Sequence, residues 1–271
     1  MTLNELVAKH GLEKINSLTK YPSILTYHKL GTKGGLKNEL IEDGFAKNEK
    51  LAITEKVDGT NMRIVSLNSD YLLGQRENFI YAKNDRIKNS DTIDIVQEAA
   101  DKFVNTNTDT DFLTVIYGEA YGWRIQDGSK IYCAGNTDKN FRIFDVWQAH
   151  INVIDKYLQD SDMQKIVYDR EHDFQPWLTV DEIRIFADTY KLEQVPFWTD
   201  FDSNNLPTDA EETKQWIESN FKTSHAIIGE GTNNNQKFAR AEGVVIRTWD
   251  RKTIRKLRFE DYNKGQLKGW I

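Results

Sequence analysis

Glu55-Lys56-Val57-Asp58-Gly59-Thr60-Asn61 is the stretch on which the reading of this chain turns. Ahead of it, Leu51-Ala52-Ile53-Thr54 is apolar and β-prone, which predicts a strand that delivers Lys56 to a pocket. Behind it, Met62-Arg63-Ile64-Val65 resumes a strand, and Tyr71-Leu72-Leu73-Gly74-Gln75-Arg76 is placed to pair with it as a hairpin. Gly59 lets the backbone turn closely beneath a ligand. Asp58 would then face a ribose hydroxyl or a metal-bound water. An ordinary lysine has a pKa of ~10.4, so a nucleophilic one needs burial or a cationic neighbour to favour its neutral form. A plain strand-to-turn junction carries the same residue types, so the choice rests on what accompanies them.

Other segments supply candidates. The β-rich run from Leu113 puts Val115, Tyr117 and Glu119 on one face, with the Glu119 carboxylate expected at the strand's end. In Phe141-Arg142-Ile143-Phe144-Asp145, alternation places Phe144 opposite Ile143 and Asp145. In Ile254 to Phe259 it puts Lys256 and Arg258 on one face and Leu257 with Phe259 on the other, so both cations are expected to reach one phosphate group. Ile93, Val96, Ala100 and Phe103 recur at helical spacing and predict an amphipathic scaffold helix over 92–104. Capping boxes at Thr179/Glu182 and Thr208/Glu211 predict two more helices. The first segment, through Tyr21-Pro22-Ser23-Ile24, reads as a short helix and an extended strand. The glycines and lysines between Gly31 and Gly44 suit a mobile loop near phosphate or a solvated connection, and the connection is favoured. The stretch between Pro196 and Pro207 reads as a loop, and Gly229 to Asn235 as a flexible turn.

Taken in order, these stretches resemble the motifs of the covalent nucleotidyltransferases, which comprise ATP-dependent DNA ligases, RNA ligases and mRNA capping enzymes. The Lys56 stretch resembles motif I, Ile116-Tyr117-Gly118-Glu119-Ala120-Tyr121-Gly122 motif III, and the Phe141 strand motif IIIa. Glu242-Gly243-Val244-Val245-Ile246 resembles motif IV and Ile254-Arg255-Lys256-Leu257-Arg258 motif V. DNA ligases and capping enzymes usually have arginine where this chain has Asn61, and Gly-Thr-Asn is the RNA ligase 2 spelling.

The resemblance implies an α+β fold: a nucleotidyltransferase (ATP-grasp-like ligase adenylation) domain of antiparallel β-sheets flanked by helices, spanning residues 1–271 with motifs I to V within 55–258. Only thirteen residues follow Arg258, so no C-terminal OB-fold is expected. It also implies the chemistry. Lys56 takes AMP from ATP, Phe144 stacks on adenine, and Glu55, Gly59, Arg76, Glu119, Glu242, Lys256 and Arg258 hold the nucleotide. Asp58, Glu119 and Glu242 hold magnesium, with manganese as the alternative. Asp58, Glu119, Glu242 and Lys256 join Lys56 in catalysis, while Asn61 and Arg76 place the RNA ends that are joined, 5′-phosphate to 3′-hydroxyl. Motif V often has lysine at both positions; Arg258 keeps the charge but cannot release its proton, so Lys256 is the more exacting of the two. A DNA ligase, a capping-type enzyme and a non-catalytic nucleotide- or RNA-binding module are the competing readings.

Composition bounds these readings. With 39% hydrophobic and 11% aromatic residues in 271, an ordered globular protein is expected. A lone Cys133 excludes an internal disulfide or a multi-cysteine zinc site, and the five histidines lack metal-ligand spacing. The absence of a long apolar run or signal-peptide core leads to the expectation of a cytoplasmic monomer without a membrane. A net charge of −6 argues against indiscriminate coating of nucleic acid. Arg247, Arg251, Lys252, Arg255, Lys256, Arg258, Lys264 and Lys268 nevertheless cluster near the C-terminus, either as a basic patch for phosphate or as solvated strand lysines.

Overall fold

The structure is a computed structural model that describes residues 1–263 except 32–33, 86–89, 110, 127, 134–135 and 229–239; of 128–130 it describes the backbone only. Its strands are β1 (Leu25–Thr26), β2 (His28–Leu30), β3 (Leu36–Leu40), β4 (Lys50–Lys56), β5 (Thr60–Leu67), β6 (Asp70–Gln75), β7 (Phe79–Ala82), β8 (Phe112–Gly122), β9 (Lys139–His150), β10 (Phe197–Asp202), β11 (Gly243–Thr248) and β12 (Ile254–Arg258). Its helices are α1 (Leu3–His10), α2 (Leu12–Leu18), α3 (Ile93–Thr106), α4 (Ile151–Asp160), α5 (Met163–Glu171), α6 (Val180–Tyr190), α7 (Ala210–Asn220) and α8 (Phe259–Asn263). None of them is long and apolar enough to cross a membrane.

Two five-stranded sheets dominate, one in the order β7-β6-β5-β8-β9 and one in the order β1-β12-β11-β4-β10. The first is antiparallel throughout; in the second only β1 runs parallel to its neighbour. Strand β4 belongs to one sheet and β5 to the other, so Val57-Asp58-Gly59 carries the chain across between them. That crossing sets the site. A Cβ on Gly59 would lie 2.3 Å from the Ala120 carbonyl oxygen and 2.9 Å from the Tyr121 Cβ, so only glycine lets the turn press against β8.

Each sheet buries its faces as strand alternation requires. Ile64, Ile116 and Ile143 pack with Val96, Ala100 and Phe103 of α3 and Ile183 and Phe186 of α6. Val65, Val115 and Trp147, on the opposite face, meet Leu6, Ile15, Leu158 and Ile166 from α1, α2, α4 and α5. In the other sheet Leu51, Ile53, Val244, Ile246 and Leu257 cover Ile217 of α7 and Tyr262 of α8. The residues between these positions, Thr54, Lys56, Val245, Arg247, Ile254 and Lys256, face the cleft.

The expected strands around Lys56 and the helix over 92–104 are present, and Thr179 and Glu182 form the expected capping box. Four expectations are corrected. At α7 the cap is Asp209, whose carboxylate accepts the Glu211 and Glu212 amides, one residue after Thr208. The stretch after Pro196 is strand β10 rather than a loop, because half-buried Trp198 and Phe201 pack on the Leu51/Ile53 core while Asp200 and Asp202 stay outside at the sheet edge. The glycine- and lysine-rich region from Gly31 holds the β2–β3 hairpin. The first segment folds as two helices, with an unforeseen capping box at Thr2 and Glu5. The expected turn from Gly229 to Asn235 lies outside the described residues.

Candidate active site

A cleft of about 600 Å³ opens between the two sheets, and Lys56, Asp58, Asn61, Arg76, Glu119, Phe144, Glu242 and Lys256 all line it. Strand register brings them there. Gly243 pairs with Lys56 on one side and Arg258 on the other, which puts the preceding Glu242 beside the lysine. Lys56 Nζ lies 2.5 Å from Glu242 Oε2. In the facing sheet Asn61 pairs with Glu119.

The carboxylates crowd one another. Burial pushes the Glu119 pKa up to about 8; Glu242 and Asp58 add to the rise, while Lys56 and the Gly59 amide oppose it. Burial likewise raises Glu242 against the pull of Lys56. Lys256 is lowered by burial and then by the charges of Arg258 and Lys56. Among the described residues, however, no three His, Cys, Asp or Glu converge closely enough to hold a metal ion. The expected set of Asp58, Glu119 and Glu242 thus shares the cleft without forming a ready-made cage, and Glu242 is committed to Lys56.

The remaining expected nucleotide contacts have these surroundings. Glu55 also lines the cleft, and its carboxylate accepts the Ser224 hydroxyl and, at 2.7 Å, the His225 amide. Arg258 shares the Lys56 row, but Asp261 accepts its Nε and Nη2 at 2.8 Å each and Glu260 lies 2.7 Å from Nη1. Its guanidinium is engaged by these two carboxylates, while its charge still bears on Lys256. Glu119 sits within β8 rather than at its end. Arg76 is exposed at the rim, where it donates to Ser23 at 3.3 Å.

The strand carrying Phe144 departs from plain alternation. Its register slips opposite Tyr117 and Gly118, which pair with Asp145 and Ile143 and leave Phe144 as the extra residue of a β-bulge. Asp145 therefore turns to the cleft side with Phe144 instead of away from it. Fully buried, it accepts Arg247 Nη1 at 3.1 Å, Arg251 Nε at 2.6 Å and the Tyr21 hydroxyl at 2.9 Å. The Tyr21 ring meets the Phe144 ring edge-on at 5.1 Å. Sequence reasoning missed Asp145, Tyr21 and Arg247; a charged residue inside an apolar strand was the available signal for Asp145. The same network pairs Arg251 and the cleft-lining Arg247, and Arg255 is buried against Glu42, so these three arginines are buried and paired rather than solvated. Lys264 and Lys268 lie outside the described residues.

These features define a mixed α/β protein with a lysine-bearing cleft between antiparallel sheets. A family model for RNA ligase matches residues 49–260, and the chain belongs to the RNA ligase family. Solved structures agree on the fold. The Naegleria gruberi RNA ligase with PPi is 17% identical with a TM-score of 0.52, covering 93% of this chain and 59% of that one. A mutant of it with AMP and Mn is 16% identical with a TM-score of 0.53, covering 91% and 58%. This chain thus spans less than two thirds of the length of the structures it matches. No curated protein matches the sequence.

Proposed function

We propose that the chain is an ATP-dependent RNA ligase whose cleft is the adenylyltransferase site and whose nucleophile is Lys56. The observation that carries this reading is the meeting of Lys56, Glu242, Glu119 and Lys256 with one aromatic, Phe144, in a single cleft between β4 and β5. In the first step Lys56 Nζ attacks the α-phosphorus of ATP, an N–P bond forms, the bond to the β-phosphate oxygen breaks and pyrophosphate leaves. Lys256 stands where a cation can offset charge on the phosphate oxygens. Phe144, wedged by Tyr21, offers a ring to the base. AMP then passes to an RNA 5′-phosphate, with loss of the N–P bond. Finally a 3′-hydroxyl attacks the phosphorus of the RNA 5′-phosphate, the bond from that phosphorus to the AMP oxygen breaks, and AMP leaves as the strand is sealed. Asn61 and Arg76, which line the same cleft, are assigned to end placement.

The donor set suits a divalent cation. Three carboxylates line one cleft, and Glu119 is driven up first by burial and then by Glu242 and Asp58, so a cation in their midst would favour its charged form. Magnesium or manganese would be held by Asp58, Glu119 and Glu242 with phosphate oxygens completing the shell, and would supply charge neutralisation at the α-phosphate. Glu242 would exchange Lys56 for that role, freeing the amine.

The test is incubation with ATP or GTP, with magnesium or chelator, followed by sealing assays on RNA and DNA ends. An adduct from ATP and sealing of RNA are expected. A GMP adduct would point to capping chemistry, sealing of DNA alone to a DNA ligase, and no adduct with any nucleotide to a binding module.

A further inference from the structure

We infer that Tyr132, a residue outside every motif and outside the cleft lining, positions the nucleophile turn for adenylyl transfer. The turn Val57-Asp58-Gly59 crosses between sheets, so strand hydrogen bonds do not fix it. One side chain holds it: Asp58 N–H donates to the Tyr132 hydroxyl at 3.0 Å. Tyr132 is itself held tightly. It is fully buried, its ring meets Tyr121 edge-on at 5.2 Å, it packs with Val57, Val195 and Ala226, and its carbonyl accepts Ile228 N–H at 2.8 Å.

The phenol suits this task for physical reasons. A phenol is neutral at about pH 7, so the hydroxyl adds no charge to those of Glu55, Asp58 and Glu242, which line the cleft. A carboxylate acceptor there would add a fourth negative charge to a crowded cleft. The hydroxyl accepts the amide without that charge and anchors the backbone from which the Asp58 side chain springs. Tyr132 thereby acts through Asp58 on the reaction at Lys56.

The inference rests on the adenylyl-transfer reading, and the experiment separates the two. Tyr132→Phe keeps the ring and removes only the acceptor. Single-turnover adduct formation is expected to fall about tenfold in rate with little change in the ATP concentration needed for half-saturation. In an Asp58→Ala background the same substitution is expected to cost nothing more, since its route is through Asp58. A wild-type rate in Tyr132→Phe, or an equal loss in both backgrounds, overturns the inference. Hydrogen exchange of the wild-type protein supplies a check that depends on no variant's folding. A protected Asp58 amide is expected, and an amide exchanging at the free-peptide rate overturns the contact. Wild-type protein that forms no adduct refutes the adenylyl-transfer reading instead, whatever the state of that amide.

Discussion

Lys56 and Glu242 meet at 2.5 Å where the β4–β11 register sets Gly243 opposite Lys56, so the proposed nucleophile rests against a carboxylate just ahead of β11. A lysine so paired is held in place but is also engaged, and under the proposed mechanism its amine must be released from Glu242 before it attacks.

Glu242→Gln tests this. It removes the charge and keeps the shape, so the fold should persist while adduct formation falls by about a hundredfold or more, because charge compensation at the phosphate is lost along with the pairing. Circular dichroism and a time course of adduct by mass spectrometry check the two halves. Wild-type rates would show that Glu242 is a strand residue only.

Glu119 makes the protein sensitive to pH. Its folded pKa of about 8 lies above the ordinary 4.5, so the protonated carboxyl favours the folded state; that contribution is full below about 4.5 and is lost as pH rises through about 8. Without divalent metal, the melting temperature should drop across this window more in the wild type than in Glu119→Gln. Metal binding requires the deprotonated form, so magnesium affinity should climb by up to about tenfold per pH unit and level off above pH 8. Calorimetric titration at several pH values reads this directly, and a flat profile would remove Glu119 from the metal site.

Asp145 is the single buried carboxylate that Arg247 and Arg251 share. Asp145→Asn would leave two buried guanidiniums short of a countercharge, apart from the Asp173 contact of Arg251, at a cost of about 3–5 kcal/mol. Chemical denaturation measures that loss. Because the network also fixes Tyr21 against Phe144, weaker nucleotide binding should accompany it, seen as a higher ATP requirement.

Lys256 and Arg258 should separate. Lys256 lines the cleft, whereas Arg258 is held by Asp261 and Glu260. Lys256→Ala should cut adduct formation at least tenfold with a small effect on melting; Arg258→Ala should be the milder in rate and the greater in melting temperature. Parallel rate and melting measurements decide, and equal catalytic losses would favour a paired clamp on one phosphate group.

Much of this was legible in the chain. Period-two patterning around Lys56 and helical spacing from Ile93 to Phe103 are local signals, and the elements they predict are there. What escaped depends on register and on long-range partners. Plain alternation sends Asp145 away from Phe144, and only the slip against β8 reverses it. The partners of Arg258 and Glu55, namely Asp261, Ser224 and His225, cannot be assigned to them without the fold. Strand β10 was hidden because its aspartates and flanking prolines resemble a loop, while its aromatic residues reveal their role only beside β4.

The most direct test of the account is where AMP attaches. Wild-type protein given ATP and magnesium, then digested under conditions that preserve phosphoramidates, should carry AMP on the peptide containing Lys56 and on no other. Lys56→Ala should carry none, yet should still seal RNA supplied as its 5′-adenylate, because that substrate bypasses the lysine while the remaining cleft residues stay in place. AMP found on a different residue, or undiminished adduct in Lys56→Ala, would contradict the assignment of Lys56 as the nucleophile.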